Sequence, residues 1–156
     1  MCTYCGCESI AVIGRFMAEH TDIINAAGQL RRACHQGDQP EVERAADEVA
    51  RLLDPHTDAE EVGLFRVMRQ QEEFADHIEQ LCLEHETLDA QLAAIRAGDH
   101  ARMAEFDHDL RGHIEREDNG LFPASAIALD GPDWAEVDLS TPPPTTWTGA
   151  GKARLA

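Results

Sequence analysis

Histidine and glutamate stand four residues apart twice in this chain, as His56-x-x-x-Glu60 and His113-x-x-x-Glu117. Gly, Leu and Phe follow each pair at the same distances, as Gly63-Leu64-Phe65 and Gly120-Leu121-Phe122. Ahead of each pair comes a lone histidine behind a glutamate, Glu19-His20 and Glu84-His85. The order His, then His-x-x-x-Glu, is therefore an internal repeat. On an α-helix a spacing of four places two side chains on one face, about 6 Å apart along the axis, so an imidazole and a carboxylate can grip one metal centre. Two such helices facing each other can hold two metals. A glutamate on a core face is costly unless it is neutralised or paired, and a cation supplies the partner. Four imidazoles and two carboxylates form a mixed donor set that suits iron better than the thiolate sets of structural zinc. His20, His56, Glu60, His85, His113 and Glu117 are the candidate metal ligands.

These residues need helices to carry them, and the apolar spacing provides helices. Ile13, Phe16, Met17, His20, Ile23, Ile24 and Ala27 mark one face of a helix from about residue 10 to 34. Val42, Ala46, Val49, Leu52 and Leu53 mark a second helix opening at Pro40, and Asp54-Pro55 predicts a kink or a restart just before His56. Phe74, Ile78, Leu81, His85, Leu88, Leu92 and Ile95 form the third stripe, closed by Gly98. Asp99 is placed to cap a fourth helix with the stripe Met103, Phe106, Leu110, His113, Glu117 and Leu121. Every candidate ligand falls on a core step. Short connections favour antiparallel neighbours, so the expected fold is all-α, an up-down-up-down antiparallel four-helix bundle with a kinked second helix. Residues 124–129 suggest a further helical turn. Residues 130–156, with Pro142-Pro-Pro144 and Gly149-Ala-Gly151, read as a poorly ordered tail, from which Trp134 is expected to pack on the bundle and Trp147 is not. The expected organisation is a Cys-rich segment over 1–8, a bundle over 9–129 and a tail over 130–156.

Composition narrows the function classes. The chain has 156 residues with 43% hydrophobic content, enough for one core. Thirty acidic residues against 13 basic give a formal net charge of -17, which repels nucleic-acid phosphates and anionic lipid surfaces. No segment has the run of about 20 apolar residues that a membrane span needs, and the N-terminus has no signal-like run, so a cytoplasmic location is expected. The odd count of 5 cysteines does not read as a disulfide framework. Cys2, Cys5 and Cys7 form Cys-x-x-Cys-x-Cys, an incomplete metal motif read as a flexible, oxidisable thiol segment, with Tyr4 beside it.

The doubled order His20, His56-x-x-x-Glu60, His85, His113-x-x-x-Glu117, with Leu-Phe after each glutamate, resembles the hemerythrin-like (HHE cation-binding) four-helix bundles over about residues 9–129. The resemblance implies two iron ions joined by an oxo or hydroxo bridge, Glu60 and Glu117 as bridging carboxylates and the four histidines as terminal ligands. It also implies a small-molecule ligand: dioxygen, hydrogen peroxide or nitric oxide. The sequence departs from the oxygen-carrying members, which place two histidines four apart on the third helix. Here Leu81 and Asp89 flank His85 at that spacing. Those members also use an Asp five residues after the fourth-helix histidine. Both registers are filled here, by Glu117 at four and Asp118 at five, and the repeat favours Glu117.

With one imidazole fewer, the metals are more open to small ligands, which points to turnover, foremost peroxide (catalase-like) breakdown or related oxidant detoxification, with a redox partner as a further expectation. The alternative is an oxygen, nitric oxide or iron sensor that binds without turnover. No acid–base residue stands out beyond the ligands, although Glu61, Asp89 and Asp118 lie near enough in sequence to orient histidine N–H groups. His77 stands eight residues before His85, about 12 Å along the axis, too far to serve the same centre. His35, His100 and His108 read as solvated or locally bonded.

Overall fold

The computed structural model describes residues 6–144 and is helical throughout, with no strand among the described residues. Cys2, Tyr4, Cys5, Trp147 and the Gly149-Ala-Gly151 stretch lie outside the described residues. Four long helices carry the fold: α1 (Ala11–Gln36), α2 (Gln39–Glu60), α3 (Glu72–Arg96) and α4 (Met103–Arg116). A 3-10 turn, Cys7–Ser9, leads into α1, and Cys7 is buried against the core, which corrects the reading of this end of the thiol segment as flexible.

The ends of the helices are set by local chemistry. Gly37 adopts φ 70°, a left-handed conformation that glycine reaches without penalty, and its N–H returns to Ala33 and Cys34 carbonyls to close α1. Asp38 then caps α2 by accepting from the Glu41 N–H, with Pro40 in the first turn. Of the kink or restart expected at Asp54-Pro55, the restart is absent: α2 runs through Pro55 to Glu60. A proline inside a helix loses one backbone bond and crowds the preceding turn. Here Leu53 and His56 on either side are buried, and the helix continues past the proline. The irregularity comes later, where Glu61–Phe65 widens into a π-helical turn before Arg66–Met68 resumes the α form. The repeat reproduces it in Glu117–Leu121, followed by α5 (Phe122–Ala128). Asp99 does not cap α4 with its side chain, which instead binds Arg102 Nε at 3.2 Å, and the helix begins through a 3-10 turn, His100–Arg102.

α1 packs on α2, α2 on α3, α3 on α4, and α4 returns to α1, a closed ring consistent with a four-helix bundle. Two apolar clusters fill it. One gathers Ile23, Leu30, Val49, Leu88, Phe106 and Leu110; the other gathers Phe16, Phe65, Ile78, Leu81, Leu121 and Phe122. The candidate ligands sit between them, with His20 separating Met17 from Ile23 and His85 separating Leu81 from Leu88 along their helices.

The poorly ordered tail is corrected over its first part. Gly131–Ser140 forms α6, opened by a capping box in which Asp130 accepts from the Asp133 N–H and Asp133 from the Asp130 N–H. Val137 is buried, Trp134 packs on the second cluster, and Arg66 pairs with Glu136 at 2.8 Å. Among the described residues no helix is long and apolar enough to cross a membrane.

Candidate metal centre

All six candidate ligands converge. His20 (α1), His56 and Glu60 (α2), His85 (α3), His113 (α4) and Glu117 (the first residue of the second π turn) are each at most 3% exposed. Their donor atoms form two groups, His20, His56, Glu60 and Glu117, and Glu60, His85, His113 and Glu117, with the atoms of each group within 4.8 Å of one another. Both glutamates belong to both groups. Glu60 Oε1 lies 3.1 Å from His56 Nε2 and its Oε2 3.4 Å from His85 Nε2. Glu117 Oε2 lies 3.1 Å from His20 Nε2 and its Oε1 3.2 Å from His113 Nε2. Each carboxylate thus spans from one group to the other.

The outward nitrogens are held in an equally regular way. Each histidine Nδ1 donates to a carboxylate: His20 to Asp118 at 2.9 Å, His56 to Glu19 at 2.8 Å, His85 to Glu61 at 2.7 Å and His113 to Glu84 at 2.7 Å. Such partners fix the tautomer, turn Nε2 inward and raise its basicity. Glu61 and Asp118 lie where the sequence placed outer partners; Asp89 makes none of these four contacts. Glu19 and Glu84 escaped the sequence reading, although the Glu-His dipeptide that opens each repeat was their signal. The rings are also packed alike. Phe122 stacks on His20 with centroids 5.8 Å apart, and Phe65 on His85 at 5.6 Å, so the Leu-Phe of one half braces the lone histidine of the other.

The π turns explain how a glutamate and the residues after it can both face inward. An α-helix following Glu60 would bury one narrow stripe, whereas here Gly63, Leu64 and Phe65 are consecutively buried. One extra residue in the turn rotates the chain and lets Glu60 point into the centre while Phe65 reaches His85.

Protons serve this arrangement poorly. Both Glu60 oxygens, both Glu117 oxygens and His20 Nε2 are buried without a hydrogen-bond partner. His85 Nε2 and His113 Nε2 face each other at 3.0 Å while their Nδ1 atoms are committed to carboxylates, so two like atoms meet. Burial pushes His85 down, but Glu60 and Glu61 outweigh it and raise its pKa to about 10. Burial likewise opposes His113, which Glu117 and Glu84 raise to about 9. Burial and the neighbouring Glu60 push Glu117 up, yet His113 and His20 carry it down to about 2. The glutamates are thus carboxylates and the imidazoles are drawn toward their charged forms. A cation accepting lone pairs from facing nitrogens and oxygens satisfies all of these atoms at once, so the residues fit a metal.

Residues 11–125 match the hemerythrin HHE cation binding domain. The chain belongs to the hemerythrin family. Comparison with curated proteins and with solved structures gave no match. The hemerythrin match covers all six converging residues and stops before α6, so residues 126–144 lie outside it. Of the other histidines, His35 sits in the last turn of α1 rather than in a turn outside it, His100 bonds Gln39 Oε1 at 2.8 Å, and His77 and His108 belong to neither donor group.

Proposed function

We propose that this hemerythrin-family chain holds two iron ions, one per donor group, in an up-down-up-down bundle, and that it breaks down hydrogen peroxide or a related small oxidant in the cytoplasm. One observation carries the proposal: two buried, four-residue donor groups share both Glu60 and Glu117, whose oxygens have no other partner. The six residues are the ligands, His20 and His56 with one ion, His85 and His113 with the other, and Glu60 and Glu117 with both. Iron there would supply two-electron redox chemistry to small ligands such as dioxygen, hydrogen peroxide or nitric oxide. Disproportionation converts two hydrogen peroxide molecules into two waters and one dioxygen, a balance that requires no external reductant.

The chain's own residues set the conditions. Phe16, Phe65, Leu81, Leu121 and Phe122 wall the centre against bulk water. Glu19, Glu61, Glu84 and Asp118 hold the imidazoles in one orientation, and Glu61, the most exposed of them with 42% of its side chain accessible, can exchange a proton between His85 Nδ1 and solvent. Each ion would have two imidazoles of its own and would share the two carboxylates with the other ion, four protein residues in all.

The test is metal analysis of protein purified from iron-replete cells, followed by oxygen evolution from hydrogen peroxide. Two irons per chain and repeated turnover are expected. One metal per chain would overturn the dinuclear site, and tight binding of dioxygen or nitric oxide without turnover would favour a sensor.

A further inference from the structure

The carboxylate that holds His56 is tied to the far end of the chain. Glu19 Oε2 accepts from His56 Nδ1 at 2.8 Å, and Glu19 Oε1 accepts from Arg15 Nε at 2.7 Å. Arg15 Nη1 in turn donates to the Pro142 carbonyl at 2.6 Å. One residue earlier, Thr141 lies against the π turn that follows Glu60, so closely that a Cβ on Gly63 would come within 2.1 Å of Thr141 Oγ1. Residues 141 and 142 therefore touch both the turn beyond one shared glutamate and the arginine bracing a histidine. They are moored by α6, through buried Val137 and the Arg66–Glu136 pair, and they lie outside the family match.

Beside this contact opens a small cleft of about 80 Å³ whose lining includes Arg15, Glu19, Leu52, Pro55, His56 and Pro144. His56 forms part of its wall, although the ring itself is buried. Its lining also contains Asp22 and Arg51, so the carboxylates of Glu19 and Asp22 stand along it together with the guanidinium groups of Arg15 and Arg51, beside Leu52, Pro55 and Pro144. In the other half His113 is held by Glu84, and Glu84 is braced by Arg116 of α4 at 2.9 Å. That brace comes from the histidine's own helix.

We infer that this cleft is the route by which a cation exchanges with the buried centre, and that residues 141–144 are its gate, latched by Arg15. Opening the gate requires the Arg15–Pro142 bond to break and residue 144 to leave the cleft wall. It does not require the bundle to separate. The inference rests on the metal-binding reading.

The experiment follows cobalt(II) uptake by the metal-free full-length protein in a stopped-flow spectrometer, then its release to a chelator. Arg15→Met removes the latch and should speed both uptake and release about tenfold, as expected for one charge-assisted hydrogen bond, with the final metal content unchanged. Gly63→Ala pushes Thr141 away while leaving Arg15 and Glu19 in place, and it should act in the same direction. Leu52→Trp fills the cleft from its wall and should slow both rates. Arg116→Met, in the other half, should leave them as in the wild type. Uptake at normal stoichiometry with Arg15→Met and Leu52→Trp matching wild-type rates would overturn the gate alone, as would Arg116→Met speeding exchange as much as Arg15→Met. Failure of the wild type to take up cobalt(II) or iron(II) would overturn the metal reading and the gate together.

Discussion

Asp118, which holds the outer nitrogen of His20, keeps 10% of its side chain exposed, whereas Glu61, which holds the same nitrogen of His85, keeps 42%. The first π turn is covered by Thr141; a Cβ on Gly120 in the second would meet nothing within 4 Å. Phe16 stands edge-on to His56 with centroids 5.5 Å apart, and the repeat places Leu81 at the matching position before His85. The two halves therefore share the inner set, the π turns and the phenylalanine stacking, and differ in the exposure of these outer carboxylates, in the cover over the turn and in Phe16. Donor chemistry fixes the inner positions, since a change there leaves a buried charge unpaired. The outer positions need only orient a ring, which a short buried carboxylate and a long exposed one both achieve.

Breaking the shared inner pair should erase the comparison altogether. Glu117 offers one oxygen to each donor group, so Glu117→Gln removes an anionic ligand from both at once. Metal content measured by elemental analysis should fall toward zero in both halves, rather than halving. Asp118→Asn should retain most of the metal, because Asp118 meets only the outer nitrogen of His20. A variant of Glu117 that keeps full metal while the Asp118 variant loses it would move the bridging role to the neighbouring register.

A smaller effect should separate the outer partners from each other. Outer-partner loss at metal sites costs roughly 10–100-fold in affinity. Asp118→Asn should lie toward the upper end of that range, since its bond to His20 is shielded from water. Glu61→Gln should lie at or below the lower end, because Glu61 itself stands exposed to solvent. Competition with a chelator of known affinity measures both. Equal losses would show that exposure of the partner does not matter and that the halves are energetically alike.

The inner set was legible in the sequence and the outer set only half so, for a physical reason. Ligands four apart on a helix declare themselves through local periodicity, and the doubled order made chance coincidence improbable. The bonds from His20 to Asp118 and from His113 to Glu84 join residues 98 and 29 positions apart, so no local spacing reveals them. The π turns are not declared by spacing: in the first, the sign is the burial of Gly63, Leu64 and Phe65 in a row, which the structure alone shows. At Pro55 a proline's local cost suggests a restart, but Leu53 and His56 beside it are buried and the helix continues. Composition misled at the tail, where Pro and Gly suggested disorder although Asp130, Pro132 and Asp133 already spelled a helix start. The all-helical class and the convergence of six side chains did not depend on any of these details.

The smallest expected effect makes the sharpest use of the repeat, because Gly63 and Gly120 occupy equivalent places and have ordinary helical backbones: the positive-φ glycines are Gly6, Gly37 and Gly98. Alanine is favoured over glycine inside a helix by about 1 kcal/mol, so that term is the same at both positions. At Gly120 nothing opposes it, and Gly120→Ala should raise stability by about 0.5–1 kcal/mol. At Gly63 the new methyl meets Thr141 Oγ1, which is itself bonded to the Val137 carbonyl at 2.7 Å, and Thr141 Cβ stands 3.2 Å away. Crowding of that kind costs typically about 1–3 kcal/mol, enough to reverse the gain. Gly63→Ala should therefore be neutral to destabilising by roughly 2 kcal/mol, and adding Thr141→Ala should recover much of the difference by removing the hydroxyl. Urea unfolding of the metal-free proteins measures all three. If Gly63→Ala and Gly120→Ala shift the midpoint equally, the C-terminal segment does not press on the first π turn in solution, and the asymmetry between the halves reduces to the outer carboxylates and Phe16.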